Sequence, residues 1–379
     1  MIWILLASLA CSALAMFLVV YSAGHHAHWS ADHDLSGPQK MHIKAVPRVG
    51  GLGILAGVCG GGLVAAWRYS DLRWEQLLLL ACMVPAFGSG IWEDFTKSIS
   101  PRRRMVALAL SGLLGVLLLG GKLTHTGWQL FDDLLASHGL MWLGAVGAVF
   151  AVTGISNSVN IIDGMNGLAS MCTMMMNASL AYIAWRVGDD LVLGLALATA
   201  GATLGFFLWN YPRGLVFLGD GGAYLLGFIV AELGILLTTR HPQVSMLAPL
   251  LLVAYPVFET LFTMYRRRFI HQRSMTQPDG SHLHTLIYRR LKLGPVGESG
   301  VRGSTRANSG TSPYLWLLNA IAVIPATLWW GNTPALALSL AVFVLAYLDV
   351  YWRIVRFRSP KWMSSRREHA PPAESFNKS

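Results

Sequence analysis

The stretch "GLMWLGAVGAVFAVTGISNSVNIIDGMNGLASMCTMMMNASLAYIAW", residues 139–185, decides what kind of molecule this is. Two apolar runs, 139–157 and 165–185, flank a knot containing Asn157, Asn160, Asp163, Gly164, Asn166 and Gly167. Each run is about long enough to cross a bilayer, whose ~30 Å hydrocarbon core needs about 20 apolar residues at ~1.5 Å of rise each. Amides and a carboxylate are tolerated beside such a core only where they reach water or a partner. The stretch therefore reads as two membrane-spanning helices joined by a polar turn with work to do.

The same pattern recurs along the 379 residues, which are 54% hydrophobic and 13% charged. An ordinary soluble domain carries about 25% charged residues. Apolar runs fall at 2–22, 48–67, 75–92, 105–121, 139–157, 165–185, 190–209, 215–237, 243–264, 314–330 and 333–352. The predicted fold class is all-α, a polytopic integral membrane bundle of about 11 transmembrane helices. The first run has no Lys or Arg before it and no small-residue cleavage site leading into a soluble domain, so it is expected to be retained. Residues 1–352 read as one transmembrane catalytic domain whose site is formed by loop 265–312 and others. Within that loop, 294–312 reads as a flexible linker. Residues 353–379 read as a basic, disordered cytoplasmic tail.

Of the 29 Lys and Arg, only Arg68, Arg73, Lys122, Arg186 and Arg240 fall in one alternate set of loops. The rest crowd the other set and the tail, which places the N-terminus outside and the C-terminus in the cytoplasm. The net charge of +10 then reflects topology and contact with anionic lipid, and excludes any need for a nucleic-acid partner. Cys11, Cys59, Cys82 and Cys172 lie in or beside the runs without a CxxC pair, which argues against metal or disulfide roles. Tryptophans near run ends, such as Trp67, Trp92, Trp329 and Trp330, read as interface anchors.

Five polar clusters share the cytoplasmic side: 40–51, 92–104, 157–170, 209–224 and the long loop with "HLHTLIYRR" at 282–290. Asp132, Asp133, Asp189 and Asp190 on the other side read as solvated loop residues. The shared clusters supply Glu93, Asp94, Asp163 and Asp220, the amides Asn157, Asn160 and Asn166, the cations Lys44, Arg48, Lys97, Arg102, Arg103, Arg104 and Arg213, and His282 and His284. Carboxylates and amides without Cys suit a hard cation, Mg²⁺ or Mn²⁺. Arginines and lysines beside them suit phosphate. That combination points to phosphoryl transfer at the membrane surface, with a phosphorylated lipid as acceptor. Asn157, Asn160 and Asp163 recur every three residues and fan over one helix face, while Gly164 and Gly167 loosen the backbone. The bland alternative is that Asn166 or Asp163 caps the next helix. Glu232 lies toward the outer end of its run; Glu259 is expected to be buried beside Arg266–Arg268. Neither is assigned to the site.

Taken in chain order from about 40 to 290, these pieces resemble the polyprenyl-phosphate N-acetylhexosamine-1-phosphate transferase family, glycosyltransferase family 4. Pro47, Arg48, Gly50 and Gly51 match its first motif, after His42 and Lys44. Glu93–Asp94 stands where the family usually has Asp-Asp, and the basic residues that follow match Arg102–Arg104. Asn157, Asn160, Asp163, Gly164, Asn166, Gly167 and Leu168 match N-x-x-N-x-x-D-G-x-[DN]-G-L. Asn166, where the peptidoglycan translocase has Asp, favours the N-acetylhexosamine branch. Phe217, Gly219, Asp220 and Gly222 match F-x-G-D-x-[GS], and His282 and His284 match the histidine motif.

The resemblance implies an enzyme of the bacterial cytoplasmic membrane with its site on the inner face. It implies Asp220 and Asn160 as metal ligands for Mg²⁺, and Glu93, Asp94 and Asp163 as catalytic groups. Lys44, Arg48, Arg103, Asn157, Asn166, His282 and His284 are implied in substrate binding. The substrates would be a UDP-N-acetylhexosamine and undecaprenyl phosphate, and the product would start a surface glycan such as O-antigen. A homodimer is one expectation for assembly. The rival readings are a transporter or flippase for a lipid-linked sugar and a peptidoglycan-type phospho-MurNAc-pentapeptide transferase.

Overall fold

The computed structural model describes residues 1–25, 46–69, 71, 73–125, 132–133, 141–270, 281–292 and 301–356. Lys44, His42 and the tail beyond 356 lie outside these residues. The principal helices are α1 (Ile2–Tyr21), α2 (Gly50–Arg68), α3 (Arg73–Thr96), α4 (Pro101–Leu119), α5 (Met141–Ile162), α6 (Leu168–Val187), α7 (Asp190–Asn210), α8 (Gly219–Arg240), α9 (Leu247–Leu252), α10 (Ala254–Tyr265), α11 (Leu283–Lys292), α12 (Val301–Leu328) and α13 (Thr333–Val355).

Every one of the eleven expected runs falls on a helix. Among the described residues eight of these, α1, α2, α3, α5, α7, α8, α12 and α13, are long and apolar enough to cross a membrane. The shortfall from eleven has local causes. Helix α4 opens on Arg102–Arg104, α6 carries buried Ser170, Thr173, Asn177 and Ser179, and the run 243–264 is broken at Val253 into α9 and α10.

Helix α8 is the axis of the bundle: its residues from Gly219 to Thr238 are all buried. Its partners come close because small residues face each other. A side chain at Gly51 would strike the Gly222 backbone, one at Gly90 the Gly221 backbone, and one at Gly227 the backbone of Ser156. Inside a bilayer such close backbone approach, with its dispersion contacts, is a main source of helix association. The outer ring is apolar instead, with Leu63, Leu117, Phe150 and Leu338 exposed. Helix α3 contains Pro85, and the next N–H, of Ala86, donates to the hydroxyl of Ser111 on α4 at 2.9 Å.

One expectation is overturned. The linker reading of 294–312 fails from Val301 onward, where α12 begins. Its Ser, Asn and Thr residues looked flexible by composition, yet Ser304, Asn308, Ser309, Thr311 and Ser312 are buried. Asn308 and Ser312 hydrogen-bond to Asn166 in the turn after α5, Ser309 to the Pro212 carbonyl and Ser304 to the Tyr288 hydroxyl, and those long-range partners outweigh weak local helix propensity.

Candidate active site

Asp220 is the hub. It sits in the first turn of α8, just after Gly219 at φ 74. That left-handed conformation favours glycine, and a Cβ there would also collide with the Arg48 carbonyl and the Asp94 carboxylate. The preceding strand-like loop pairs with the lead-in to α2. Phe217 N–H donates to the Pro47 carbonyl at 2.9 Å, and Gly50 N–H donates to the Phe217 carbonyl at 2.9 Å. This pairing sets Arg48 over the aspartate, Nη2 to Asp220 Oδ1 3.2 Å and to Asp94 Oδ1 3.8 Å.

From the other side comes Arg104, with Nη1 2.7 Å from Asp220 Oδ2 and 4.0 Å from Glu93 Oε1. Helix α4 is started by Ser100 as N-cap and Pro101 behind it, a local signal that aims the first turn at α8. Asn160, near the end of α5, donates from Nδ2 to Asp220 Oδ1 at 3.0 Å. Segments remote in sequence thus meet on one carboxylate.

The paired acids do different things. Asp94 is buried, with Oδ1 accepting the Asp220 N–H at 2.8 Å and Oδ2 the Gly221 N–H at 2.9 Å. It caps α8 from a neighbouring helix, which α8 needs because Leu218 at its own N-cap supplies no side-chain bond. Glu93 Oε2 accepts the Ile99 N–H at 2.8 Å and holds the turn between α3 and α4.

Asp163 is half-buried, and its carboxylate accepts no hydrogen bond among the described residues. Burial pushes it up to about 7, the Arg48 charge pulls it down, and the Asp220 charge pushes it up further. Next to it, Gly164 packs on the ring of His284, so closely that a Cβ would lie 2.5 Å from Nε2. His284 stacks parallel on His282, ring centres 5.3 Å apart and planes 4° from parallel. Burial first, and the neighbouring His282 second, push His284 down to about 3, so it is neutral at physiological pH.

The sequence-level assignments divide. Arg48, Glu93, Asp94, Asn160, Asp163 and Asp220 come together, and His282 and His284 form the adjoining wall. Asn157 is half-buried a turn before Asn160, and its side chain makes no hydrogen bond among the described residues. Of the arginine triplet, Arg103 is exposed and its side chain has no partner among the described residues, while its backbone N–H lies 3.4 Å from Ser100 Oγ; Arg104 is the one at the carboxylates. The steps of a helix put only one of three successive side chains on the α8 face.

Asn166 is not the cap of α6, whose N-cap is Gly167, and most of its polar groups are taken up within the fold. It is 2% exposed. Its N–H donates to Asn308 Oδ1 at 2.8 Å, its carbonyl accepts from Ser312 Oγ at 2.6 Å, and its Nδ2 donates to the Pro212 carbonyl at 3.2 Å. Asn210 completes the clasp, accepting the Gly167 N–H at 2.6 Å and donating to the Val216 carbonyl at 2.8 Å. Asn308 and Ser312 fall in the segment that reads as a linker, and Asn210 lies in the polar cluster 209–224, where nothing in the sequence marks its partner.

Two further readings change. Glu259 pairs not with Arg266–Arg268 but with His282 Nδ1 at 3.0 Å and with the Tyr347 hydroxyl at 2.7 Å. Arg266 instead reaches the Tyr351 hydroxyl at 2.9 Å. Asp189 is not a solvated loop residue: it is 5% exposed, caps α7 at Val192 N–H, and sits 3.0 Å from His241 Nε2. Glu232 is buried against Gly115 and Gly121, twelve residues along α8 from Asp220 and away from this site.

Could this site hold a divalent cation? Among the described residues no three His, Cys, Asp or Glu side chains form a metal-holding group. Mg²⁺ needs only one or two protein carboxylates when substrate phosphates and waters complete its shell. Asp220 offers a carboxylate, and Asn160, whose Nδ2 is engaged, keeps its amide oxygen as a further hard donor. The donor set fits on those terms.

Residues 76–238 match the family model described as glycosyl transferase family 4. The chain is 25% identical over 318 residues to a protein of Bacillus subtilis (strain 168) named probable undecaprenyl-phosphate N-acetylglucosaminyl 1-phosphate transferase. That match covers 84% of this chain and 81% of the relative. It is 34% identical over 207 residues to a phospho-N-acetylmuramoyl-pentapeptide-transferase of Synechococcus sp. (strain JA-3-3Ab), covering 53% of this chain and 58% of that one. Over 115 residues it is 34% identical to a decaprenyl-phosphate N-acetylglucosaminephosphotransferase of Mycolicibacterium smegmatis, 26% of this chain and 27% of that one. The resemblance read from the motifs is borne out, and so is the expectation of an enzyme of the phosphotransferase type.

Proposed function

We propose that this chain, which matches the glycosyl transferase family 4 model over residues 76–238, moves an N-acetylhexosamine 1-phosphate from a UDP-sugar to undecaprenyl phosphate, at the inner face of the bacterial cytoplasmic membrane. The observation that carries the reading is Asp220, gripped by Arg48, Arg104 and Asn160. The relative matched over most of the chain is named for that transfer to undecaprenyl phosphate, which supports the acceptor and the sugar class.

The reaction forms a bond from a lipid phosphate oxygen to the β-phosphorus of the UDP-sugar and breaks that phosphorus's bond to UMP, which leaves. Asp163, with its elevated proton affinity and a carboxylate unengaged among the described residues, takes the proton from the lipid phosphate. Asp94 is poorly suited to that task because both its oxygens hold backbone N–H groups of α8. Arg48 and Arg104, already held at Asp220, present their guanidinium groups to the phosphates, so the positive charge is in place before substrate enters. Asp220 and Asn160 would hold Mg²⁺, which supplies neutralisation of the pyrophosphate charge. His282 and His284 wall the donor side. A cavity of about 290 Å³ lined by Ala151, Ile155, Val230, Gly234, Pro249 and Val253 offers the isoprenoid an apolar lodging between α5, α8 and α9.

The test is incubation of purified protein with Mg²⁺, undecaprenyl phosphate and a panel of UDP-GlcNAc, UDP-GalNAc and UDP-MurNAc-pentapeptide, reading UMP release and lipid-linked product. UMP release with an N-acetylhexosamine donor, lost in Asp220→Ala and on EDTA treatment, is the expected result. Turnover of the pentapeptide donor alone would replace the proposed donor. Full activity in Asp220→Ala would remove the site.

A further inference from the structure

We propose that Glu259 is a positioning residue that sets the ring tautomer of His282 and anchors the histidine wall for the UDP-sugar. This rests on the function proposed above and deepens it, since Glu259 lies outside the segment matched by the family model.

Glu259 is fully buried on α10 and collects three donors. Oε1 lies 3.0 Å from His282 Nδ1 and accepts the Leu283 N–H at 3.2 Å; Oε2 accepts the Tyr347 hydroxyl at 2.7 Å. Leu283 is the first residue of α11, so the carboxylate sits at that helix's N-terminus, where backbone N–H groups need an acceptor and the dipole favours negative charge. A carboxylate can only accept, so the ring proton of His282 must be on Nδ1, which leaves Nε2 to accept from a ligand when the ring is neutral. The same anchor fixes His284, two residues on, against His282 and Gly164. Tyr347 on α13 braces the carboxylate from behind, so the last helix of the bundle takes part in shaping the site.

The experiment compares the full-length protein with Glu259→Gln, Glu259→Asp and Tyr347→Phe in detergent. Glutamine keeps the shape but presents an N–H₂ group that can turn toward Nδ1. Histidine ¹⁵N spectra, with the His282 signals identified by their loss in His282→Asn, are expected to show Nδ1–H in the parent and Nε2–H in Glu259→Gln. KM for the UDP-sugar should rise about fivefold or more, the scale of one lost charge-assisted hydrogen bond, while KM for undecaprenyl phosphate stays put. Glu259→Asp should recover part of the loss. Tyr347→Phe, which leaves the carboxylate, should shift the donor KM by less, and provides the reading if Glu259→Gln does not fold. An Nε2–H ring in the parent would overturn the proposal. So would equal rises in both KM values with a lowered unfolding temperature, which would mark Glu259 as merely structural. If even the parent turns over no UDP-sugar, the functional reading falls while the ring spectra still decide the tautomer.

Discussion

Replacing Asp94 with Asn should damage the fold and the activity together. The carboxylate accepts two N–H groups, from Asp220 at 2.8 Å and Gly221 at 2.9 Å, with its side chain fully buried. Asparagine keeps one acceptor and sets an N–H₂ group against the second N–H. One charge-assisted hydrogen bond, worth about 1.5–3 kcal/mol, is lost, and a buried donor is left unsatisfied at about 1–3 kcal/mol. Part of the favourable charge at the α8 N-terminus goes as well, roughly another 0.3–1 kcal/mol. Partial relaxation makes these overlap, so a net cost of about 2–4 kcal/mol is expected. The first turn of α8, and Asp220 on it, would then lose its register against Arg48 and Arg104. The assay is thermal unfolding in detergent with UMP release measured on the same samples. A fall of several degrees in Tm alongside the lost turnover is the expected result. An inactive Asp94→Asn protein with an unchanged Tm would refute the reasoning, because it would place Asp94 in the chemistry rather than at the helix end.

The remaining expectations concern neighbours. With Asp163 titrating at about 7, its base form is lost as pH falls, so kcat should drop about tenfold per pH unit below that value and level off above it. Asp163→Asn should be slow and lack this step, which a pH–rate series would reveal. Arg104→Ala should cut turnover by about 100-fold or more, on the scale of losing one preorganised charge-stabilising contact, while the exposed Arg103→Ala should change it less than about threefold; steady-state kinetics of the pair would check this. Asn308→Ala removes the acceptor of the buried Asn166 N–H and should cost about 1–3 kcal/mol, seen as a lower unfolding temperature.

Much of this molecule is legible without coordinates because a bilayer imposes one-dimensional rules. Span length, basic-loop asymmetry and polar residues beside apolar runs are local properties, and from them came the helices at the eleven runs and the set of loops that share a face. The motif order points to Arg48, Glu93, Asp94, Asn160, Asp163 and Asp220, which do gather, but not to which arginine of 102–104 joins them. What each does on arrival was not local. Asp94 and Glu93 are adjacent in the chain, yet one caps a helix 126 residues away and the other holds its own turn. Asn166 sits in a motif between Asp163 and Leu168, and its partners lie on α12, more than 140 residues on. The linker reading of 294–312 fails from Val301 for the same reason: small polar residues form a helix when a buried face gives side chains such as Ser304, Asn308 and Ser312 partners far along the chain. Glu259 found a histidine and a tyrosine rather than its neighbouring arginines. Sequence by itself determined the membrane bundle and the chemical inventory of its polar end. Only tertiary structure decided which oxygen faces which proton, because that depends on helices meeting at glycine-thin contacts whose partners no spacing rule specifies.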